Sequence, residues 1–355
     1  MKKLRLIVSD FHLGRGRYLK DGSVNPVEDF IYDEKFAEFL DFYTHDIYKS
    51  YEAELIINGD FFNLLLPPSE GPPDVITEFS AMTMMKEIIE GHPTVMGALE
   101  KFASSPRRQV SFVVGNHDQG LLWPGVQGIL KKMVSRKFRV LSRAYSFDGV
   151  YVEHGHQNEM LHRFDPQKIA VVSRYYREPI QNLPWGSYFV MEFLNPLRQE
   201  RPYIYVVKPF RMYLRWALLS DFRFFWRMLY KLIAFYMKNR FHKDPQRRKR
   251  FKFTIDNLRE AYFHDSIERS ARRLLLEGKY HTIIYSHTHS YRKKQFDGGT
   301  YINTGTWNDM VNLDIGSFGR YSKLTYVLVD YKGGRPHPSL KAWRGLYRIE
   351  EDVLF

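Results

Sequence analysis

Apolar and polar positions fall into two regimes along this chain. In the first, short β-rich apolar runs break off abruptly on polar side chains: "IVSDFHLG" at 7–14, "ELIINGDFFN" at 54–63, "VSFVVGNHD" at 110–118, "GVYVEHGH" at 149–156 and "HTIIYSHTHS" at 281–290. Such runs predict buried strands. Helical periodicity around residues 34–49 and 76–103 separates the first three, giving an alternation of strand and helix. The polar groups therefore gather at the carboxyl ends of strands, where open α/β sheets place their sites. Asp10 and His12 stand two positions apart, and in extended backbone both reach one point beyond the strand. Asp60, then Asn116, His117 and Asp118, then His154 and His156, then His287 and His289 follow the same plan.

The second regime is helical, apolar and basic. Residues 174–250 hold 17 Lys plus Arg against 5 Asp plus Glu, nearly the whole net charge of +13, and 19 of the 57 aromatics. Prolines 184, 196, 202 and 209 interrupt it, and "RRKR" at 247–250 closes it. Between Ser220 and Arg240, Arg223, Arg227, Lys231 and Lys238 fall within an arc of about 80°, and nearly everything else around that wheel is apolar. Cations through the middle of the helix, each costing ~2.5 to 3.5 kcal/mol in a bilayer, exclude a membrane span.

Three roles fit this segment. It can be a packed helical subdomain, an interfacial lobe in which Trp226 enters lipid while Arg223, Arg227 and Lys231 meet anionic head groups, or a nucleic-acid surface. Aromatics mixed with Leu, Ile and Met favour lipid over nucleic acid, because base stacking needs isolated rings beside polar groups. The chain has no cysteine, which removes disulfides, thiolate zinc sites and cysteine nucleophiles. The start "MKKLRLIVSD" breaks its apolar run at Arg5 and Asp10, too soon for an export signal, and predicts the first strand of a cytoplasmic protein, for which the basic, aromatic segment suggests peripheral membrane association.

The succession "DFH", "GD", "GNHD", "HGH" and "SHTH" resembles the calcineurin-like metallophosphoesterases, with Ser286 where the last motif usually has Gly. The resemblance implies a four-layer αββα sandwich made of residues 1–160 and 251–355, with 161–250 as a helical insert, or lid, over the site. It implies two divalent transition-metal ions, manganese first, with iron or zinc as alternatives. Asp10, His12 and His289 would hold one ion, Asn116, His154 and His287 the other, and Asp60 would bridge them. Two ions ~3.5 to 4 Å apart activate water and clamp phosphoryl oxygens, so no protein nucleophile is needed. In the family the His at position 117 contacts phosphate or helps protonate the leaving group, and Asp118 can hold its ring in one tautomer. His154 is preferred over His156 as ligand, leaving His156 near the substrate. His45, His92, His162, His242, His264, His281 and His337 match no motif and are expected to be structural or on the surface.

A cationic, apolar lobe between the fourth and fifth motifs looks like that of the UDP-2,3-diacylglucosamine hydrolases of bacterial lipid A synthesis, in which a helical lid holds acyl chains and a pyrophosphate bond is cut. The insert here is longer, and His117 stands where that branch often carries Arg. The expected function is metal-dependent hydrolysis of a lipid-linked phosphodiester or pyrophosphate at an anionic membrane surface. Alternatives are a nuclease or nucleotide phosphodiesterase, or a non-catalytic interaction protein on the same fold. Downstream, residues 257–278 read as a long helix, and "TYINTGTW" and "KLTYVLVDY" as closing strands.

Overall fold

The computed structural model describes residues 2–19, 21–67, 69–70, 74–134, 138–252, 265–313, 319–346 and 351–352. The strands are β1 (Lys3–Val8), β2 (Glu52–Asn58), β3 (Arg108–Val113), β4 (Arg139–Leu141), β5 (Ala144–Phe147), β6 (Val150–Glu153), β7 (Ala170–Val171), β8 (Ile180–Gln181), β9 (Val207–Lys208), β10 (Thr282–Tyr285), β11 (Arg292–Phe296), β12 (Gly299–Asn303), β13 (Met310–Asn312), β14 (Gly319–Tyr321), β15 (Leu324–Lys332), β16 (Arg335–Trp343) and β17 (Glu351–Asp352). One seven-stranded sheet has the order β17-β16-β15-β1-β2-β3-β4, and a five-stranded sheet the order β11-β12-β10-β6-β5. β1 to β4 run parallel, as do β6, β10 and β12, while β15 joins β1, β11 joins β12 and β5 joins β6 antiparallel.

Alternation along the inner strands separates the layers. Leu4, Leu6 and Val8 of β1, with Leu55 and Ile57 of β2, face helices, whereas Ile7 and Ile56 face the other sheet. There they meet Val150 and Val152 of β6, Ile284 of β10 and Ile302 of β12. Ile283, Tyr285 and Tyr301 point outward onto Ile267, Ala271 and Leu275 of a helix on the far side. Strands buried on both faces read as nearly continuous apolar runs, which is why their polar ends stand out in the sequence. The result is the expected αββα sandwich.

The helices over the first sheet are α1 (Asp33–Phe42), α2 (Glu78–Gly91), α3 (Pro93–Ser104) and α4 (Pro124–Met133). The pattern expected over 76–103 is thus two helices, broken where Pro93 lacks the N–H that would continue α2. The insert holds α5 (Trp185–Phe189), which passes through a π-turn at Val190–Leu194 into α6 (Asn195–Glu200), then α7 (Phe210–Ser220), α8 (Phe222–Arg240) and α9 (Pro245–Arg250). The outer helix of the second sheet is α10 (Asp265–Leu276); the rest of the helix expected from residue 257, His264 included, lies outside the described residues.

Apolar packing and strand pairing both join the insert to the sandwich. Tyr188, Phe193, Leu197, Phe224, Phe235 and Phe251 belong to the same apolar cluster as the helices over the first sheet. Its strand β9 also pairs in parallel with β13, Val207 opposite Val311 and Lys208 opposite Asn312.

Candidate metal centre

Three of the five polar-ended strands deliver their groups through a sharply turned backbone, and Gly155 turns the chain directly after His154. Eight non-glycine residues have positive φ among the described residues, and five of them are Asp10 (55°), His12 (53°), Asp60 (51°), His287 (71°) and His289 (59°). L-residues rarely adopt this left-handed region, Asp and His among those that tolerate it best, and the cost of order 1 kcal/mol or more persists where the surroundings over-determine it. Asp10 and His12 therefore converge through left-handed turns, not through the extended backbone expected of "DFH". Hydrogen bonds from Asp10 N to Gly59 O (3.1 Å) and from His12 N to Asp60 O (2.9 Å) hold the first turn against the second. Glycine is required beside them: a Cβ on Gly59 would lie 2.3 Å from His154 Nδ1, and one on Gly115 2.2 Å from Asp60 Oδ1.

These turns gather the ligand candidates into overlapping groups. Asp10, His12 and His289 form one; Asp60, His154 and His287 form another; His12, Asp60 and His117 link them. His289 Nε2 lies 3.4 Å from Asp10 Oδ1, and His12 Nε2 3.0 Å from His289 Nε2. Asp60 Oδ2 sits 3.2 Å from His154 Nε2 and 3.9 Å from His12 Nε2, between the two groups. Asn116 Oδ1 is 3.2 Å from His154 Nε2. All are buried except His287, which is partly open.

The electrostatics suit a pair of cations. Burial drives the His12 and His289 rings well below the usual imidazole pKa and His117 to about 4, so they stay neutral and keep a lone pair. Burial also pushes Asp10 up to about 6. Burial disfavours charge on His154 as well, but the carboxylate of Asp60 outweighs it and raises that ring to about 10. Without an ion, a proton on His154 balances Asp60; a divalent cation takes over that task, since metal binding displaces ligand protons. Asp10 Oδ1, fully buried, finds no hydrogen-bond partner among the described residues, as an acceptor aimed at a cation would not. Nitrogen and oxygen donors without sulfur suit manganese, iron or zinc.

Neighbouring groups fix the ligand rings. His154 Nδ1 faces Asn58 O at 2.8 Å and Ser286 Oγ at 2.9 Å, so the proton sits on Nδ1 and Nε2 is left for the metal. Ser286, where the motif usually has glycine, thus contributes a contact to a ligand. His156 is fully buried and stacked on Phe164 at 5.0 Å, so the substrate contact expected of it does not fit a ring without exposed surface. Asp118 is a second correction. Its Oδ1 accepts from Gly115 N at 2.5 Å and its Oδ2 from Phe61 N at 3.0 Å, which ties two ligand loops together, while the partner of His117 Nδ1 is Asn63 Oδ1 at 3.1 Å. A neutral amide sets that tautomer without raising the ring's basicity as a carboxylate would.

The family model for calcineurin-like phosphoesterases matches residues 5–291. The chain belongs to that family. Its members typically bind two divalent metals, and the His and Asp groups of this chain could hold them. Solved structures similar to it include a predicted phosphoesterase of Streptococcus pneumoniae (10% identity, 99% of this chain and 98% of that one, TM-score 0.31) and Vps29 of Entamoeba histolytica complexed with zinc (9%, 96% and 92%, TM-score 0.28). A putative 5'-nucleotidase of Staphylococcus aureus is similar as well (12%, 96% and 53%, TM-score 0.33). No curated protein sequence matches the chain.

The insert supplies groups to the site that motif reasoning missed. The Tyr205 ring lies 5.8 Å from both His12 and His289 and 6.4 Å from His117. Behind it the buried Arg198 stacks at 4.9 Å and binds Asp29 Oδ1 at 2.6 Å and Val27 O at 2.8 Å. Lys208 Nζ donates to Thr288 O, between His287 and His289, at 2.6 Å, and burial lowers its pKa to about 8. His162, expected to be merely structural, packs against His287 with ring centroids 5.1 Å apart. Among these groups only an isolated basic residue in an apolar stretch offered a signal, and charge counting obscured it.

Cations of α8 have acidic partners that the helical wheel did not show. Arg227 pairs with Glu200 Oε2 at 2.7 Å and Lys231 with the same carboxylate, while Lys238 reaches Glu192 at 3.1 Å; Arg223 is exposed. The outermost face is instead aromatic and aliphatic: Phe222, Trp226, Tyr230, Ile233, Met237 and Phe241 are 47–72% exposed, and they fall within about 100° of arc. Leu219 at the end of α7, 84% exposed, extends it. Among the described residues no helix is long and apolar enough to cross a membrane.

Proposed function

We propose that this protein is a metal-dependent hydrolase of a phosphodiester or pyrophosphate bond in a lipid-linked substrate, with UDP-2,3-diacylglucosamine as the specific candidate, acting at an anionic membrane surface. The observation that carries the hydrolase part is Asp60: one buried carboxylate shared between two histidine groups, in a family that binds two divalent metals. Ions held there supply Lewis acidity toward the phosphoryl oxygens and a water of lowered pKa.

The chain's own groups do the rest. His117, with its proton on Nδ1 toward Asn63, presents Nε2 as a hydrogen-bond acceptor beside the substrate. Lys208 offers its ammonium to phosphoryl oxygens, and Tyr205 keeps water from the face of the site it covers. The lipid part is supported by the exposed aromatic face of α7 and α8, since contiguous apolar surface of this kind marks an interaction site, and Trp or Tyr flanked by Arg suits the bilayer interface.

Release of phosphate or nucleoside monophosphate, measured with manganese on bis-nitrophenyl phosphate, a nucleotide sugar and its diacylated form, tests the proposal. The diacylated substrate is expected to be cleaved fastest. Equal rates with and without acyl chains would remove the lipid role of the insert, and salt-sensitive binding to single-stranded DNA without vesicle binding would favour a nuclease.

A further inference from the structure

The loop that leaves β6 carries the ligand candidate His154, turns at Gly155 (φ 112°), makes one 3-10 turn at His156–Asn158 and presents Glu159. Glu159 Oε2 lies 3.0 Å from Nε2 of His287, which arrives from β10, and 3.8 Å from Nε2 of His162. The loop is anchored at both ends of this turn. Asn158 Nδ2 donates to Gly155 O at 3.1 Å, and Asn158 Oδ1 accepts from Ser270 Oγ of α10 at 2.7 Å. Glu159 is thus held by packing from the second sheet's outer helix, and its side chain is only 16% exposed.

We infer that Glu159 is a positioning residue for the second ion: its carboxylate accepts a hydrogen bond from Nε2–H of His287, which fixes the ring's tautomer and orientation and leaves Nδ1 unprotonated toward the metal. A ligand imidazole whose outer nitrogen donates to a carboxylate is both oriented and made more basic, and removing such a partner weakens metal affinity by 10- to 100-fold. His154 has a backbone carbonyl and a serine hydroxyl in the corresponding place. His287 has the Glu159 carboxylate in that place, so the two rings assigned to one ion are fixed by a single loop, one as its member and one as its partner. The inference rests on the two-ion site proposed above, and on neither the substrate nor the membrane.

The test is a titration of manganese alone into chelator-stripped full-length protein, for the wild type, Glu159→Ala, Glu159→Gln and Asp60→Asn. Wild type is expected to bind two equivalents. Glu159→Ala should lose 10- to 100-fold in affinity at one equivalent and keep the other, and Glu159→Gln, which retains an acceptor for the Nε2 proton, should recover part of that loss. The metal-free variants should melt where metal-free wild type melts, which separates a weakened ion from a damaged fold. Wild-type affinity at both equivalents in Glu159→Ala would overturn the inference, as would equal weakening of both. So would a third wild-type equivalent that Glu159→Ala removes, since Glu159 would then be a ligand itself. Asp60→Asn binding both equivalents at wild-type affinity would instead sink the two-ion site.

Discussion

The sandwich and the insert handle charge in opposite ways. At the strand ends, Asp10, Asp60 and the surrounding imidazoles are buried together, with a proton on His154 balancing Asp60 in the place a cation would take. In the insert, basic residues far outnumber acids, yet those that are buried or lie beside an acid are paired within the protein: Arg247 with Glu192, Arg227 and Lys231 with Glu200, Arg198 with Asp29. There the unsatisfied feature is apolar surface. One region gathers groups that could hold a cation and the other exposes apolar side chains, and contacts through Lys208 and Tyr205 join the two.

The largest effect expected is from Asp60→Ala, which removes the shared carboxylate: phosphodiester cleavage should fall by roughly ten-thousandfold, read as product release at saturating manganese. Next comes Arg198→Ala, which strands the buried Asp29 carboxylate, whose pKa burial already raises to about 6 despite the guanidinium beside it. A loss of about 3 to 5 kcal/mol in denaturant unfolding is expected, together with a looser Tyr205. Wild-type stability there would mean that the insert does not depend on this pair.

The contrast sharpens at the exposed face. Replacing Leu219, Trp226 and Ile233 together by Ser should abolish flotation with anionic vesicles, each side chain contributing on the order of 1.5 to 3 kcal/mol to partition. Hydrolysis of a soluble diester should stay as it was. If vesicle binding survives, the apolar face is not the membrane contact.

A smaller effect separates the scaffold from both regions. His92 is buried between Asp33 (2.7 Å) and Glu28 (3.4 Å), and although burial opposes its charge, those carboxylates raise it to about 9. A folded pKa above the unfolded 6.5 stabilises fully below pH 6.5, and the contribution fades as pH rises through about 9, amounting to roughly 3 kcal/mol. His92→Gln should flatten the fall in melting temperature across that window. An unchanged profile would remove His92 as its cause.

How much of this could be read from the residues follows from what each one must do. The ligand types at strand ends are visible because buried strands rarely stop on Asp, Asn and His in succession, and the sandwich follows from the same runs. Adjacency in sequence misled at Asp118, since a tight turn directs neighbouring side chains to different partners: His117 to Asn63, Asp118 to the backbone of Gly115 and Phe61. On α8, the wheel located the cations but not the acid across from them, because Glu200 lies on another helix. Tyr205, Lys208 and Glu159 belong to no motif; only the pairing of β9 with β13 and the turn after His154 bring them to the site.

The central claim is that side chains from five strand ends converge on two cations. Elemental analysis of the full chain, stripped with chelator, reconstituted with manganese and freed of excess ion, tests it most directly. Two equivalents of metal per chain, reduced in Asp60→Asn, are predicted; protein that retains no transition ion after reconstitution would contradict it.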